Sequence, residues 1–97
     1  MPVYLTLFQW TDSGVKNIKD APARMAEGRE TVEKFGGKVL GLYAMMGKYD
    51  LFSVTEWPND ESATTSALAI SSRGNVRTTT LRAYTEAEFA EIAKKMP

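Results

Sequence analysis

Met45-Met46-Gly47-Lys48-Tyr49-Asp50 joins two stretches of chain that are apolar on both of their faces. A half-exposed strand alternates apolar and polar residues. Here Val39, Gly41, Tyr43 and Met45 fall on one face, and Leu40, Leu42, Ala44 and Met46 on the other. A chain of 97 residues forms one domain and is too short to lay helices over both sides of its sheet. A second copy of the chain is therefore expected to cover the side that the helices leave open.

Strands are read over Lys38–Met46 and Tyr49–Trp57, with a tight connection through Gly47-Lys48. Upstream, Val3–Trp10 is rich in β-branched and aromatic residues and reads as a strand. Thr11-Asp12-Ser13-Gly14 reads as a turn cluster. Val15, Ile18, Met25, Val32 and Phe35 then recur at helical spacing. Pro22 cannot donate to the carbonyl of Ile18, which predicts a short turn over 15–20 and a longer helix with Pro22 in its first turn. Gly36-Gly37 ends that helix. Downstream, Asn59 can cap a helix whose apolar stripe is Ala63, Ala67 and Ile70 and which ends at Arg73-Gly74-Asn75. Val76–Tyr84 reads as a threonine-rich last strand, and Glu86–Lys95 as a short amphipathic helix with Phe89 and Ile92 on its apolar side.

The order βαββαβ plus a terminal helix predicts an α+β, ferredoxin-like domain over residues 1–97, with a four-stranded antiparallel sheet of the dimeric α/β-barrel type. In the first strand Val3, Leu5 and Leu7 alternate with Tyr4, Thr6, Phe8 and Trp10. Whichever set faces the helices, the other forms an apolar surface. An aromatic side chain buries about 150–250 Å². Leaving Tyr4, Phe8 and Trp10 in water would forgo on the order of 10 kcal/mol as an upper bound. A surface of that kind marks an interface, which predicts a homodimer or larger homo-oligomer.

Composition excludes several function classes. Twelve basic and twelve acidic residues cancel to zero net charge, which argues against nucleic acid as a partner. Hydrophobic content of 43% and charged content of 25% fit an ordinary soluble globular protein. No apolar run approaches the roughly 20 residues that span a bilayer. Met1-Pro2-Val3-Tyr4 enters a strand without a basic leader, and the expected location is cytoplasmic. Histidine and cysteine are absent, which removes serine–histidine and cysteine–histidine catalysis, histidine-ligated haem, the usual zinc sites and disulfides. The carboxylates are scattered rather than set at ligand spacing, so neither a metal nor a cofactor is expected.

The segments Gly47-Lys48-Tyr49-Asp50-Leu51-Phe52 and Gly74-Asn75-Val76-Arg77-Thr78-Thr79-Thr80-Leu81-Arg82 resemble those of the GYD domain family. The resemblance extends through Thr11-Asp12, Lys16-Asn17-Ile18-Lys19-Asp20 and Gly36-Gly37-Lys38-Val39. It implies a small bacterial α+β protein of unestablished role. Glycine-x-tyrosine-aspartate opening one strand and glycine-x-valine-x-threonine opening the next is also similar, more distantly, to the effector-binding domain of the leucine-responsive regulators. That likeness implies a dimeric α/β barrel that binds amino acids at assembly interfaces. It is carried by Gly47, Tyr49, Asp50, Gly74, Val76 and Thr78, and the attached DNA-binding helix-turn-helix has no counterpart in this chain.

In the expected topology, Trp10 through Lys19, Gly47 through Asp50 and Gly74 through Arg77 meet at one edge of the sheet. The candidate ligand site is Asn17, Lys19, Tyr49, Asp50, Asn75 and Arg77, with Trp10 as an apolar wall. Asn17 and Lys19 are expected near a helix N-terminus, where free amides attract anions, and Arg77 is expected to complete a carboxylate or phosphate clamp with Lys19. Asp50 can receive a ligand amine or orient Lys48, or simply accept backbone N–H groups of the Gly47 turn or the neighbouring loop. The function expected is a non-catalytic, ligand-binding homo-oligomeric module for a small anion or amino-acid-like molecule. The rivals are a cofactor-free enzyme of the small dimeric-barrel monooxygenase or isomerase kind, with Asp50, Tyr49 or a lysine as its proton-transfer group, and a purely structural assembly protein.

Overall fold

The computed structural model describes residues 1–97. Strand β1 (Val3–Trp10) is followed by α1 (Asp12–Lys16), a 3₁₀ turn (Ile18–Asp20) and α2 (Ala21–Lys34). Then come β2 (Lys38–Ala44), β3 (Leu51–Glu56), α3 (Asp60–Ser71), β4 (Val76–Ala83) and α4 (Glu86–Ala93). The sheet order is β2-β3-β1-β4 with every neighbouring pair antiparallel, which is the ferredoxin-like α+β arrangement.

Local chemistry explains the boundaries. Asn59 accepts the Ser62 N–H at 2.8 Å and starts α3. Pro22 sits in the first turn of α2, where its missing N–H costs nothing. The Thr11–Gly14 cluster, expected as a turn, is instead the start of a helix, because the Thr11 hydroxyl caps it by accepting the Gly14 N–H at 3.1 Å. The connection between β2 and β3 is also looser than expected. The strands stop at Ala44 and resume at Leu51, so Met45–Asp50 is a loop with Met46 at its tip, 98% exposed.

The helices cover the face carrying Tyr4, Thr6, Phe8 and Trp10, and the core gathers around Tyr4, Val32, Trp57 and Ala63. The large aromatics of β1 are thus inside, and the open face is the aliphatic set Val3, Leu5 and Leu7, joined by Phe52 and Val54 of β3 and Leu81 of β4. Tyr43 stacks on Phe52 at 5.2 Å on the same face. The alternation expected for β2 is broken by a bulge at Leu40. Val39 pairs with Thr55 but Gly41 with Val54, which turns Leu42 and Ala44 toward the helices and Gly41 and Tyr43 away.

Of the expected helical stripe, Val32 is buried, but Val15 and Ile18 are more than two-fifths exposed, because they lie before α2 rather than on it. Helix α4 stands apart from the body. The radius of gyration is 14.6 Å with a longest extent of 52 Å, against roughly 12.5 Å for a compact chain of this length. Phe89 and Ile92 remain exposed, so the terminal helix does not cover the open sheet of its own chain.

Candidate functional site

Three segments meet at the end of the sheet where β1 finishes. Asp50 ties two of them together: its Oδ2 accepts the Trp10 N–H at 2.7 Å, and its own N–H donates to the Phe8 carbonyl at 2.8 Å. Thr11 ties the third, donating its N–H to the Asn75 carbonyl at 3.1 Å and its hydroxyl to the Gly74 carbonyl at 2.6 Å. Gly14 is required in this corner, since a Cβ there would sit 2.2 Å from the Asn75 carbonyl oxygen. The aspartate of the Gly-Lys-Tyr-Asp turn therefore acts as a strut, holding the β2–β3 loop onto β1.

Beside this corner, between α2 and the sheet, lies a cavity of about 100 Å³. Trp10, Met25, Val32, Leu42, Leu51 and Val76 supply apolar walls. Three arginines also line it: Arg24 and Arg29 from α2, and Arg73 from the turn after α3. Arg24, Gly28 and Val32 follow one another at single-turn spacing, so the glycine leaves a gap between a cation and the core. Arg24 donates through Nη1 to the Asn17 carbonyl at 2.9 Å and through Nη2 to the Gly14 carbonyl at 3.2 Å, and its guanidinium lies 5.7 Å from the centre of the Trp10 ring. Its Nε is buried without a partner. Arg73 donates to the Thr31 hydroxyl at 2.6 Å. None of the three is in an ion pair; the two that the protein makes are Arg82–Glu88 and Lys94–Glu91.

The structure disperses the seven residues singled out from sequence. Trp10 and Asn75 line the cavity. Asn17 closes the C-terminal end of α1, its side chain donating to the Ser13 carbonyl. The helix-N-terminus argument for Asn17 fails because Thr11 starts α1 earlier than the sequence suggested. Lys19 is exposed on the 3₁₀ turn. Tyr49 is half-buried, with the Lys48 ammonium 5.6 Å from its ring centre. Asp50 is the strut described above. Arg77 is opposite Gln9 on the open face, beside buried Val76, which lines the cavity from the other side. Neither Lys19, on the 3₁₀ turn, nor Arg77, on the open face of β4, lines the cavity. Sequence reasoning missed Arg24, Arg29 and Arg73, although the Arg24–Gly28–Val32 spacing places a cation above a core position.

At the other end of the sheet, the Tyr4 hydroxyl donates to Asp60. Burial pushes its pKa up to about 12, and the hydrogen bond and negative charge of Asp60 add to the shift. No cluster of three carboxylates could hold a metal ion.

The sequence matches the GYD domain over residues 4–93. The chain belongs to the GYD domain family. Among curated relatives, this GYD protein is 34% identical over 90 residues to the glutamine synthetase and cystathionine beta-lyase binding protein of Thermus thermophilus, covering 92% of this chain and 95% of the relative. A crystal structure of a protein from Thermus thermophilus superposes with a TM-score of 0.58 at 22% identity, covering 88% of this chain and 95% of the other. That likeness is one of fold. No helix of this GYD domain is long and apolar enough to cross a membrane.

Proposed function

We propose that this GYD domain is a self-associating, small-molecule-binding module of the cytoplasm that acts through contacts rather than through catalysis. The observation that carries the reading is the open sheet face, where Val3, Leu5, Leu7, Phe52, Val54 and Leu81 form one apolar surface that neither the main helices nor α4 covers. A stable protein interface buries about 800 Å² on each side, and a sheet of four strands with an apolar outer face offers a surface of that order. A second copy supplies the matching face, as closed two-fold assemblies do. The α4 helix, with Phe89 and Ile92 unpartnered, gives the same assembly a further apolar contact.

Two features weigh against the enzyme alternative. Asp50, the carboxylate best placed in sequence to move a proton, is hydrogen-bonded to the Trp10 backbone and does not line the cavity. The cavity walls are mostly hydrocarbon and guanidinium, which bind and orient a ligand, and Glu27 is the one carboxylate among them. The relative's name favours one extension, that the assembled module docks onto enzymes of amino-acid metabolism.

Light scattering tests the assembly. The parent is expected to give the mass of a dimer or larger oligomer at micromolar concentration, and Leu81→Lys, a change at an outward-facing position, is expected to give the monomer mass with unchanged helicity. A monomeric parent overturns the reading.

A further inference from the structure

We propose that the cavity between α2 and the sheet binds a small monocarboxylate with a compact apolar body. The carboxylate sits among Arg24, Arg29 and Arg73, and the hydrocarbon lies against Trp10, Val32 and Leu51. The proposal rests on the small-molecule half of the function proposed above and gives that ligand a chemical class and a seat. It does not depend on the self-association half.

Charge is the first support. The protein as a whole has zero formal net charge, yet three guanidinium groups line one cavity with Glu27 as the single carboxylate among them. None of these arginines is in an ion pair, although the chain has twelve acidic residues from which partners could have come. Uncompensated like charge around a low-dielectric cavity raises the local concentration of anions and favours their binding.

Hydrogen bonding is the second. Arg24 has its two Nη groups fixed on backbone carbonyls and its plane over Trp10, while its Nε is buried without a partner. Buried donors are nearly always satisfied. A carboxylate oxygen suits an arginine Nε–H, and the planar fork of the side chain is already held in place. A neutral hydrocarbon would leave that donor unmet, and a bare inorganic anion would leave the walls of Trp10, Val32 and Leu51 wet.

Size is the third. A dry cavity of about 150 Å³ accepts benzene. The space here, about 100 Å³, is smaller and takes a branched chain of about four carbons. Nucleotides and long acyl chains are too large.

Isothermal titration of the intact protein with isobutyrate, isobutanol and acetate separates the contributions, with the Trp10 indole N–H resonance reporting the location. Isobutyrate is expected to bind about tenfold or more tightly than either companion, the effect of one charge-assisted hydrogen bond or of two buried methyl groups. Arg29 is exposed and has no hydrogen-bond partner, so Arg29→Gln keeps the fold. It is expected to weaken isobutyrate about threefold and leave isobutanol unchanged. Equal affinity for isobutyrate and isobutanol overturns the carboxylate assignment while a small-molecule pocket survives. Acetate binding as tightly as isobutyrate overturns the apolar seat. Isobutyrate binding that Trp10 does not sense overturns the location, and no binding by any of the three overturns the inference and the small-molecule reading together.

Discussion

Gly14 tests whether the corner that holds the site together depends on close packing or on local helix preference. The two give opposite signs for Gly14→Ala. Helix propensity alone favours alanine over glycine by about 1 kcal/mol inside a helix, and Gly14 lies within α1. The structure demands the reverse, because the new Cβ would lie 2.2 Å from the Asn75 carbonyl oxygen, where ordinary contact begins at 3.4 Å, so about 1.2 Å of separation has to be made. The obstacle is backbone, fixed by the 3.1 Å bond from the Thr11 N–H and by the neighbouring 2.6 Å bond from the Thr11 hydroxyl to Gly74. Moving α1 away stretches both, at about 0.5–1.5 kcal/mol each. Overpacking strain adds about 1–3 kcal/mol. After subtracting the propensity gain, the net loss is about 1–5 kcal/mol, each kcal/mol lowering Tm by roughly 4–8 °C for a domain of this size. Gly28→Ala is the control: it lies in the middle of α2 with nothing within 4 Å of its would-be Cβ, and a gain of about 0.5–1 kcal/mol is expected. Calorimetry at a fixed protomer concentration reads both variants and keeps the mass-action contribution of assembly constant. A Gly14→Ala protein as stable as its parent would refute the packing of α1 against the start of β4.

The remaining predictions concern single groups. Asp50→Ala removes a charge-assisted bond to the Trp10 N–H and should cost about 1.5–3 kcal/mol in chemical denaturation, with the loop Met45–Asp50 losing amide protection first. Thr85→Ala breaks the reciprocal cap of α4, at about 1 kcal/mol of local helix stability. Hydrogen exchange should show α4 opening before the sheet, since within its own chain α4 scarcely touches the body. The same cap has a pH signature. The Thr85 backbone N–H, helped by its hydroxyl and by Arg82, holds the Glu88 carboxyl below its usual value. The cap is therefore complete above the ordinary glutamate range and fades as pH falls through the lowered folded-state value, visible as loss of α4 protection in acid. Tyr4 acts at the opposite extreme. Its pKa is raised from 10.0 to about 12, so its contribution is whole below pH 10 and is lost as pH rises toward 12. The tyrosinate absorbance difference between parent and Tyr4→Phe should centre near pH 12; a midpoint near 10 would show that Tyr4 is not buried against Asp60.

The strand order followed from element order alone, because βαββαβ with short connections leaves few chiral, unknotted solutions. Cap chemistry at Asn59 and the punctuation of Pro22 and Gly36 fixed the long helices. Three details escaped for separate reasons. The Thr11–Gly14 segment holds good turn residues that are equally good helix starters, and the choice is made by the Gly74–Asn75 backbone arriving from the far end of the chain. The bulge at Leu40 leaves no mark in a stretch whose residues are apolar throughout, so either register looks satisfactory from sequence. The arginines of the cavity sit on helices among many other surface charges, and only the tertiary fold brings Arg73 beside Arg24 and Arg29. Asp50 was legible in both of its roles, and its position against the Trp10 backbone selects the structural one.

The extra residue in β2 has a consequence for how the two sides of the sheet are furnished. With Leu40 standing outside the ladder, Leu42 walls the cavity while Tyr43 joins Phe52 on the opposite side. Strict alternation from Val39 would exchange them, setting a phenol inside the pocket and stripping the outer surface of its aromatic pair. A chain lacking Leu40 altogether would keep every later side chain where it now points and lose only the kink, so this one leucine serves as a spacer through which pocket and outer surface are each given the residue that suits them.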